Sequence, residues 1–468
     1  MKKLFITLAI ISSPVFAGQL PDLGSDFRSV FSVQEEKLIG EAMMQDLRSK
    51  SLVCTDPIIN EYLSYIGNRL SPYAEMPYTN IRMKFFAVDS KVINAFAFFG
   101  GHIGVHKGLI AIIQSENELA GVMSHELAHV SQQHILRHFA DSKRTMPLTI
   151  AGILASFAIG APELMMPVMA GQIQHSINFT RQHEQEADRI GVKILAKANF
   201  DPQGLPDAFE RMSHNLRYEG KPPEYLLTHP LYESRISDTR HRASGLSYKK
   251  EKYSSNMFDL IKARIEVQNT DNIQQLTADY KHKLQTKRHQ NELSLQYGYA
   301  YALLQKGNLK EAWNTIEKIA HQNPDSLIIQ LTAADIEAQS SQFAKAKNRL
   351  EQLLPLYSDS QALLLQYTEL LLEMKQPIAA KKVLRQYKDQ HDPEPQFYEL
   401  TRQAEGMLGN KVAVYEANAE WYLLHGDIGS ALAQLDLGLA AKPDPKTKHR
   451  IKTRQQEVIA LEQAIKAL

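Results

Sequence analysis

Ala312, Ala346 and Ala380 stand 34 residues apart, and that period leaves few folds open to the last third of the chain. The first follows Gly307-Asn308-Leu309 and precedes Asn323-Pro324, the second sits in "FAKAKNRL" and the third in "IAAKKVL". Turn, small residue and closing proline at this period are the pattern of a tetratricopeptide repeat. A single helix pair cannot bury its apolar face, so pairs stack, and small residues let neighbouring helices approach closely. The competing reading is a helical bundle with accidental periodicity. A further match, Gly426-Asp427 with Ala431 and Pro443, comes 51 positions after Ala380, one and a half periods on. Either an interposed helix or a change of phase is expected there. Trp313 and Trp421 are expected as core anchors, and the stack should offer a concave face to a peptide or protein.

At 468 residues the chain is longer than one core usually supports, so more than one domain is expected. Lys2 and Lys3 precede the apolar run Leu4 to Ile11, and Val15-Phe16-Ala17 has the small-x-small ending of a signal peptidase site. Residues 1–17 therefore read as an export signal; the apolar run is well short of the roughly 20 residues a membrane span needs. Position 18 is Gly, so the cysteine of a bacterial lipid anchor is missing. Residues 18–245 read as a mixed α+β domain, 246–285 as a helical connector and 286–468 as the all-α repeat solenoid. A single cysteine, Cys54, cannot form an internal disulfide, so the fold rests on packing, with metal a possible addition. Lys plus Arg and Asp plus Glu nearly cancel, 53 against 52, which provides no global field to draw in nucleic acid. The late cluster Lys446, Lys448, Arg450, Lys452 and Arg454 reads as a solvated helix face.

Within the mixed domain, "RMKFFAVD" and "INAFAFFGGHIGVHKGL" read as β structure, with Gly100-Gly101 at a hairpin turn. The stretch Glu116 to Phe139 reads as one helix and carries "SHELAHV". At about 100° per residue, His125 and His129 share a face, where two imidazoles can converge on one ion, with Glu126 beside them. Zinc hydrolases use this arrangement: two neutral histidines hold the metal, and the carboxylate takes a proton from the attacking water and relays it to the leaving nitrogen. A five-residue pattern also arises by chance on helices, so the reading demands a third ligand. His134 and His138 fall about 180° and 220° around a continuous helix from His125 and so face away. A histidine at 135 would complete a different ligand pattern, but that residue is Ile135. The best candidate is Glu184 in "RQHEQEADRIGVKIL", on a second amphipathic helix. Asp188 lies one turn further on its face, placed to fix the tautomer of a ligating histidine. Glu186 points about 200° away from Glu184, and His183 is a weaker rival.

These motifs resemble those of the zinc metallopeptidases that include the prenyl-protein proteases: His-Glu-x-x-His followed by Glu-x-x-x-Asp, here His125, Glu126, His129, Glu184 and Asp188. With the leader and the repeats, the whole chain is similar to that family's periplasmic branch. The resemblance implies a zincin-like α+β domain with one zinc ion on His125, His129 and Glu184, and Glu126 as the base. It implies unfolded or misassembled envelope proteins as substrates and the outer-membrane protein assembly machinery as partner of the repeats. A chaperone-like assembly factor with latent or secondary proteolysis is the alternative.

Residues 94–105 resemble the family's strand beside the active site, to which a peptide can add by main-chain hydrogen bonds; an ordinary hairpin is the plainer account. "LLTHPLYESR" resembles the family's His-Pro segment and contributes His229 and Arg235. His229 is a donor to the oxyanion, a fourth metal ligand that keeps the enzyme latent, or a buried structural histidine. Arg235 either stabilises charge or pairs with a carboxylate. The apolar run 147–171, interrupted by Gly160, Pro162 and Glu163, reads as a core helix or a lid over the cleft, with peripheral membrane contact in reserve.

Overall fold

A computed structural model describes residues 32–76, 81–141, 181–219, 224–231, 233–249, 256–286 and 291–467. The leader and the run 147–171 lie outside these residues, and no described helix is long and apolar enough to cross a membrane.

The first described helix, α1 (Val33–Ser49), opens on a capping box in which the Glu35 amide donates to Ser32 Oγ and the Ser32 amide to Glu35 Oε2. Helix α2 (Pro57–Leu70) is capped by Asp56 with proline at its first position. A small mixed sheet follows, β1 (Lys84–Val88), β2 (Ala95–Phe98) and β3 (His102–His106), in the order β1-β3-β2. β3 runs parallel to β1 and antiparallel to β2, with Phe98 opposite His102. The turn between β2 and β3 passes through Gly100 and Gly101 at φ 75° and 78°, backbone that glycine adopts without strain.

After α3 (Lys107–Ile112) comes α4 (Glu116–Ser131), capped by Ser115 and buried on nearly every side. Sequence periodicity continues this helix to Phe139, but the structure stops it at Ser131 and restarts it as α5 (His134–Asp141), with Gln133 at φ 55°. The amides of Gln132 and Gln133 close back on Ala128 and Val130. The new axis buries Ile135 and Leu136 against Ile39, Ala42 and Phe99. Burying two such side chains contributes about 1.5–3 kcal/mol each, more than the roughly 1–2 kcal/mol of one left-handed residue. The domain continues through α6 (Arg181–Lys197), α7 (Gly204–Glu219), α8 (Glu224–Thr228) and α9 (Glu233–Ser244), with α6 and α7 packed on α4.

From Met257 the described elements are all helices. They are α10 (Met257–Asn269), α11 (Ile273–Thr286), α12 (Glu292–Gln305), α13 (Leu309–Gln322), α14 (Leu327–Gln339) and α15 (Phe343–Leu353). They continue as α16 (Gln361–Glu373), α17 (Pro377–Gln390), α18 (Pro395–Met407), α19 (Lys411–Leu424), α20 (Ile428–Ala440) and α21 (Pro445–Ala467). Ala312, Ala346 and Ala380 are fully buried near the starts of α13, α15 and α17. Left-handed residues close the preceding helices at Gly307, Ser341, Lys375 and Gly409, then at Gly426. Helix α19 thus has such a turn at each end and packs extensively on both α18 and α20. The stack changes phase by half a repeat there. Trp313 packs against the main core, whereas Trp421 is half-buried, donates to Glu399 and faces a cleft.

One core runs without a break from α2, the sheet, α4, α6 and α7 through α10 as far as Ile336 in α14. A second joins Ile39 and Ala42 of α1 to Leu423, Leu435, Ile451 and Val458 of the last helices. The helical array therefore touches the α+β domain near both of its ends. Between them lies a cleft of about 1770 Å³, lined by Glu61, Tyr65 and Phe85 on one side and Leu365, Glu369 and Glu399 on the other. Polar ties also cross the boundary. Arg264 donates to Asp56 at 2.6 Å, Arg48 to Glu394 at 2.7 Å, and Glu61 accepts from Ser360 Oγ and the Ala362 amide at the start of α16.

Candidate metal centre

Helix α4 presents His125 and His129 one turn apart, both fully buried, with their Nε2 atoms 3.0 Å from each other. Across from them, α6 brings Glu184, with Oε2 3.5 Å from His125 Nε2 and Oε1 3.5 Å from His129 Nε2. The approach depends on Gly191, where a Cβ would stand 3.2 Å from the His125 amide nitrogen. A side chain there would force α6 and the turn that carries the histidine apart by a few tenths of an ångström. His229, just beyond α8, completes the group: its Nδ1 is 3.0 Å from Glu184 Oε1 and its Nε2 3.6 Å from Glu126 Oε1.

Among the described residues, His125, His129, Glu184 and His229 are the one group whose ligand atoms gather as a metal site requires, all within 4.8 Å of one another. Ligands held about 2.0–2.1 Å from a tetrahedral ion stand about 3.4 Å apart, close to the 3.0 and 3.5 Å separations here. Glu126 is 1% exposed, and its Oε1 makes no hydrogen bond. A bare carboxylate oxygen beside such a cluster fits an acceptor of protons better than a structural anchor.

The profile of peptidase family M48 matches residues 57–243, the stretch that holds all of these side chains. The Beta-barrel assembly-enhancing protease of Escherichia coli (strain K12) is 34% identical over 90% of this chain and 88% of its own, and that of Yersinia pestis is 33% identical over 89% and 86%. The chain belongs to peptidase family M48. The metalloprotease LoiP of Escherichia coli (strain K12) is 26% identical over 45% of this chain and 81% of its own. Among solved structures, a tetratricopeptide repeat protein from Parabacteroides merdae ATCC 43184 aligns with 60% of this chain and 99% of its own at 14% identity and a TM-score of 0.29, too loose a likeness to carry an argument.

In this M48 metalloprotease each helix histidine also has a partner behind it. His125 Nδ1 is 2.9 Å from Asp188 Oδ1, one turn along α6 from Glu184. Arg235, at the start of α9 and 2% exposed, donates Nε and Nη2 to Asp188 at 2.8 Å each and sets Nη1 2.7 Å from Glu184 Oε2. Its remaining bond goes to the Pro230 carbonyl and its face lies over Phe209. Of the two readings of Arg235, the structure favours carboxylate pairing.

Behind His129 stands His134, which the sequence turned away from the site. Its Nδ1 is 2.9 Å from His129 Nδ1, and its Nε2 is 3.0 Å from Glu186 Oε2, which also accepts from Arg137. The 100° rule fails for His134 because the helix is not continuous. It holds for Glu186, which points away from Glu184 and reaches His134 instead. His183 stacks on His134, and the side chain of His138 lies outside the described residues. No glycine or proline lies between Val130 and His134, and Ser131 still belongs to α4, so the clearest signal of the break is the apolar pair Ile135-Leu136, out of phase with α4. Tyr225, also missed, stacks on His229 and keeps a buried hydroxyl without a hydrogen bond.

Burial works against charge on His125, His129, Glu184 and Asp188, and local partners decide which of them are charged. His125 is nonetheless raised to about 9 by Asp188 and Glu184. Burial holds His129 well below its ordinary value. Glu184 is held well below the carboxylate range by His229, His125 and His129, and Asp188 is lowered by Arg235 and His125. The carboxylates thus stay ionised and ready to bind a cation.

Proposed function

We propose that this protein is a periplasmic zinc endopeptidase that cleaves unfolded, misassembled or stalled envelope proteins and aids assembly of outer-membrane proteins. The observation that carries the zinc assignment is the convergence of His125 Nε2, His129 Nε2 and Glu184 at tetrahedral-ligand separations. Zinc held there supplies a Lewis acid for the scissile carbonyl and an acidified water. Glu126 takes the proton of the attacking water and delivers it to the leaving nitrogen, while Asp188 and Arg235 hold His125 and Glu184 in place. A client strand adds along the outer edge of β2, which pairs on its other side with β3, so main-chain bonds hold it across α4 without demanding one sequence. The relatives' printed name, Beta-barrel assembly-enhancing protease, supports the envelope substrates and a contact between the repeats and the outer-membrane assembly machinery.

His229 favours a second reading, a chaperone-like factor whose proteolysis is latent. Its imidazole stands within ligand distance of the other three groups, and a fourth protein ligand fills the position that a catalytic zinc leaves open. Elemental analysis of the dialysed protein tests the site. About one zinc per chain is expected in the wild type and far less in Glu184→Gln; no metal in either, after folding is verified and zinc offered back, overturns the assignment. Changing His229 to Ala separates the two readings: a several-fold rise in casein cleavage marks an inhibitory ligand, and a fall of about 10²-fold or more marks an oxyanion donor.

A further inference from the structure

The side chains behind His129 form a chain of hydrogen bonds whose direction is fixed at its far end. Glu186 Oε2 accepts from Arg137 Nη1 at 3.1 Å, a guanidinium nitrogen that can only donate, so this oxygen acts as an acceptor. His134 Nε2, 3.0 Å from Glu186 Oε2, must therefore carry a hydrogen. With neutral His134 protonated at Nε2, its Nδ1 offers a lone pair to His129 Nδ1, 2.9 Å away. His129 is then protonated at Nδ1, and its Nε2 lone pair faces His125 Nε2 at 3.0 Å and Glu184 Oε1 at 3.5 Å. The other tautomer of His129 would aim an N–H at the same point and leave two nitrogens on one bond with no proton between them. Burial enforces the choice, because His129 and His134 are both fully buried and an unmet ring nitrogen there costs about 1–3 kcal/mol.

We infer that His134 and Glu186 are positioning residues that lock His129 in the tautomer able to bind metal through Nε2. They match, on the second ligand, what Asp188 and Arg235 do for His125. The inference rests on the reading of His129 as a ligand. It differs from the usual direct carboxylate partner in that the carboxylate acts through an intervening ring. The relay leads away from the cluster, towards a Glu186 side chain that is 29% exposed, so its outer end can be altered without opening the site.

The test measures zinc affinity of the full chain by competition with a chromogenic chelator, alongside thermal stability. His134→Phe keeps the ring and loses the acceptor; its affinity should fall about 10–100-fold. His134→Asn places an amide oxygen near the former Nδ1 and should restore most of that loss. A purely structural role predicts the opposite order, since Phe fills the buried space better than Asn. Glu186→Leu should weaken zinc several-fold and Glu186→Gln, which still offers a carbonyl acceptor, much less. These two keep the question answerable if the His134 variants fail to fold. Zinc affinities of His134→Phe and Glu186→Leu within two-fold of wild type, with Glu184→Gln still defective, overturn the relay and leave the metal site standing. A wild-type chain that binds no zinc overturns both.

Discussion

Glu126→Gln should abolish cleavage while leaving the metal where it is. The amide keeps the size of the carboxylate and cannot take a proton, so turnover of an unfolded client such as β-casein should fall by about 10²–10⁴-fold. Zinc content should stay near that of the wild type, because Glu126 is not among the four gathered ligand groups. Its Oε1 gives up no hydrogen bond on substitution, so the melting temperature should hold or rise. Parallel measurements of zinc, melting and casein turnover on one preparation decide it. Cleavage surviving within ten-fold would mean that another group, Tyr225 or His229, handles the proton. If the variant also supports assembly of outer-membrane proteins as well as wild type, the chaperone-like reading gains.

The second large effect is on stability. Arg235→Leu removes the cation that lies 2.7 Å from Glu184 and donates twice to Asp188, leaving two carboxylates buried with less compensation. Breaking a buried pair from one side costs about 3–5 kcal/mol, a large share of the stability of an ordinary domain. Urea unfolding should show the loss as a lower midpoint, and zinc should bind more weakly because Glu184 and Asp188 are no longer braced. Adding Asp188→Asn to Arg235→Leu should recover part of the loss, since the double variant buries one charge fewer. A midpoint unchanged in Arg235→Leu would show that water or zinc alone compensates the carboxylates.

Much of this arrangement is legible in the sequence wherever helical periodicity acts alone. Glu184 and Asp188 share a face because they are four residues apart, as do His125 and His129. The 34-residue spacing of Ala312, Ala346 and Ala380 reports helix pairs because close packing leaves no room for larger side chains there. Legibility ends where tertiary contacts override the local period. His134 was lost because the burial of Ile135 and Leu136 outweighs one strained residue at Gln133, and no residue type announces that balance. The sequence leaves both readings of Arg235 open because its role depends on two carboxylates some fifty positions upstream. The half-repeat shift is written in Gly409 and Gly426, but choosing between an added helix and a new phase required seeing α19 packed on both sides.

The contact of α1 with the far end of the repeats bears on the order in which the polypeptide can mature. Ile39 and Ala42 pack with nearby Phe99, Ile135 and Leu136 and also with Leu423, Leu435, Ile451 and Val458, from which nearly the whole described length separates them. Closing so long a span is slow, and the contact cannot form until the last helices have left the ribosome or emerged from any translocation channel. Helix α1 can thus settle early on the turn at Phe99, while its seat against the repeats closes late. A chain assembled in this way joins its α+β domain to the far end of the repeats only once the last described helices exist.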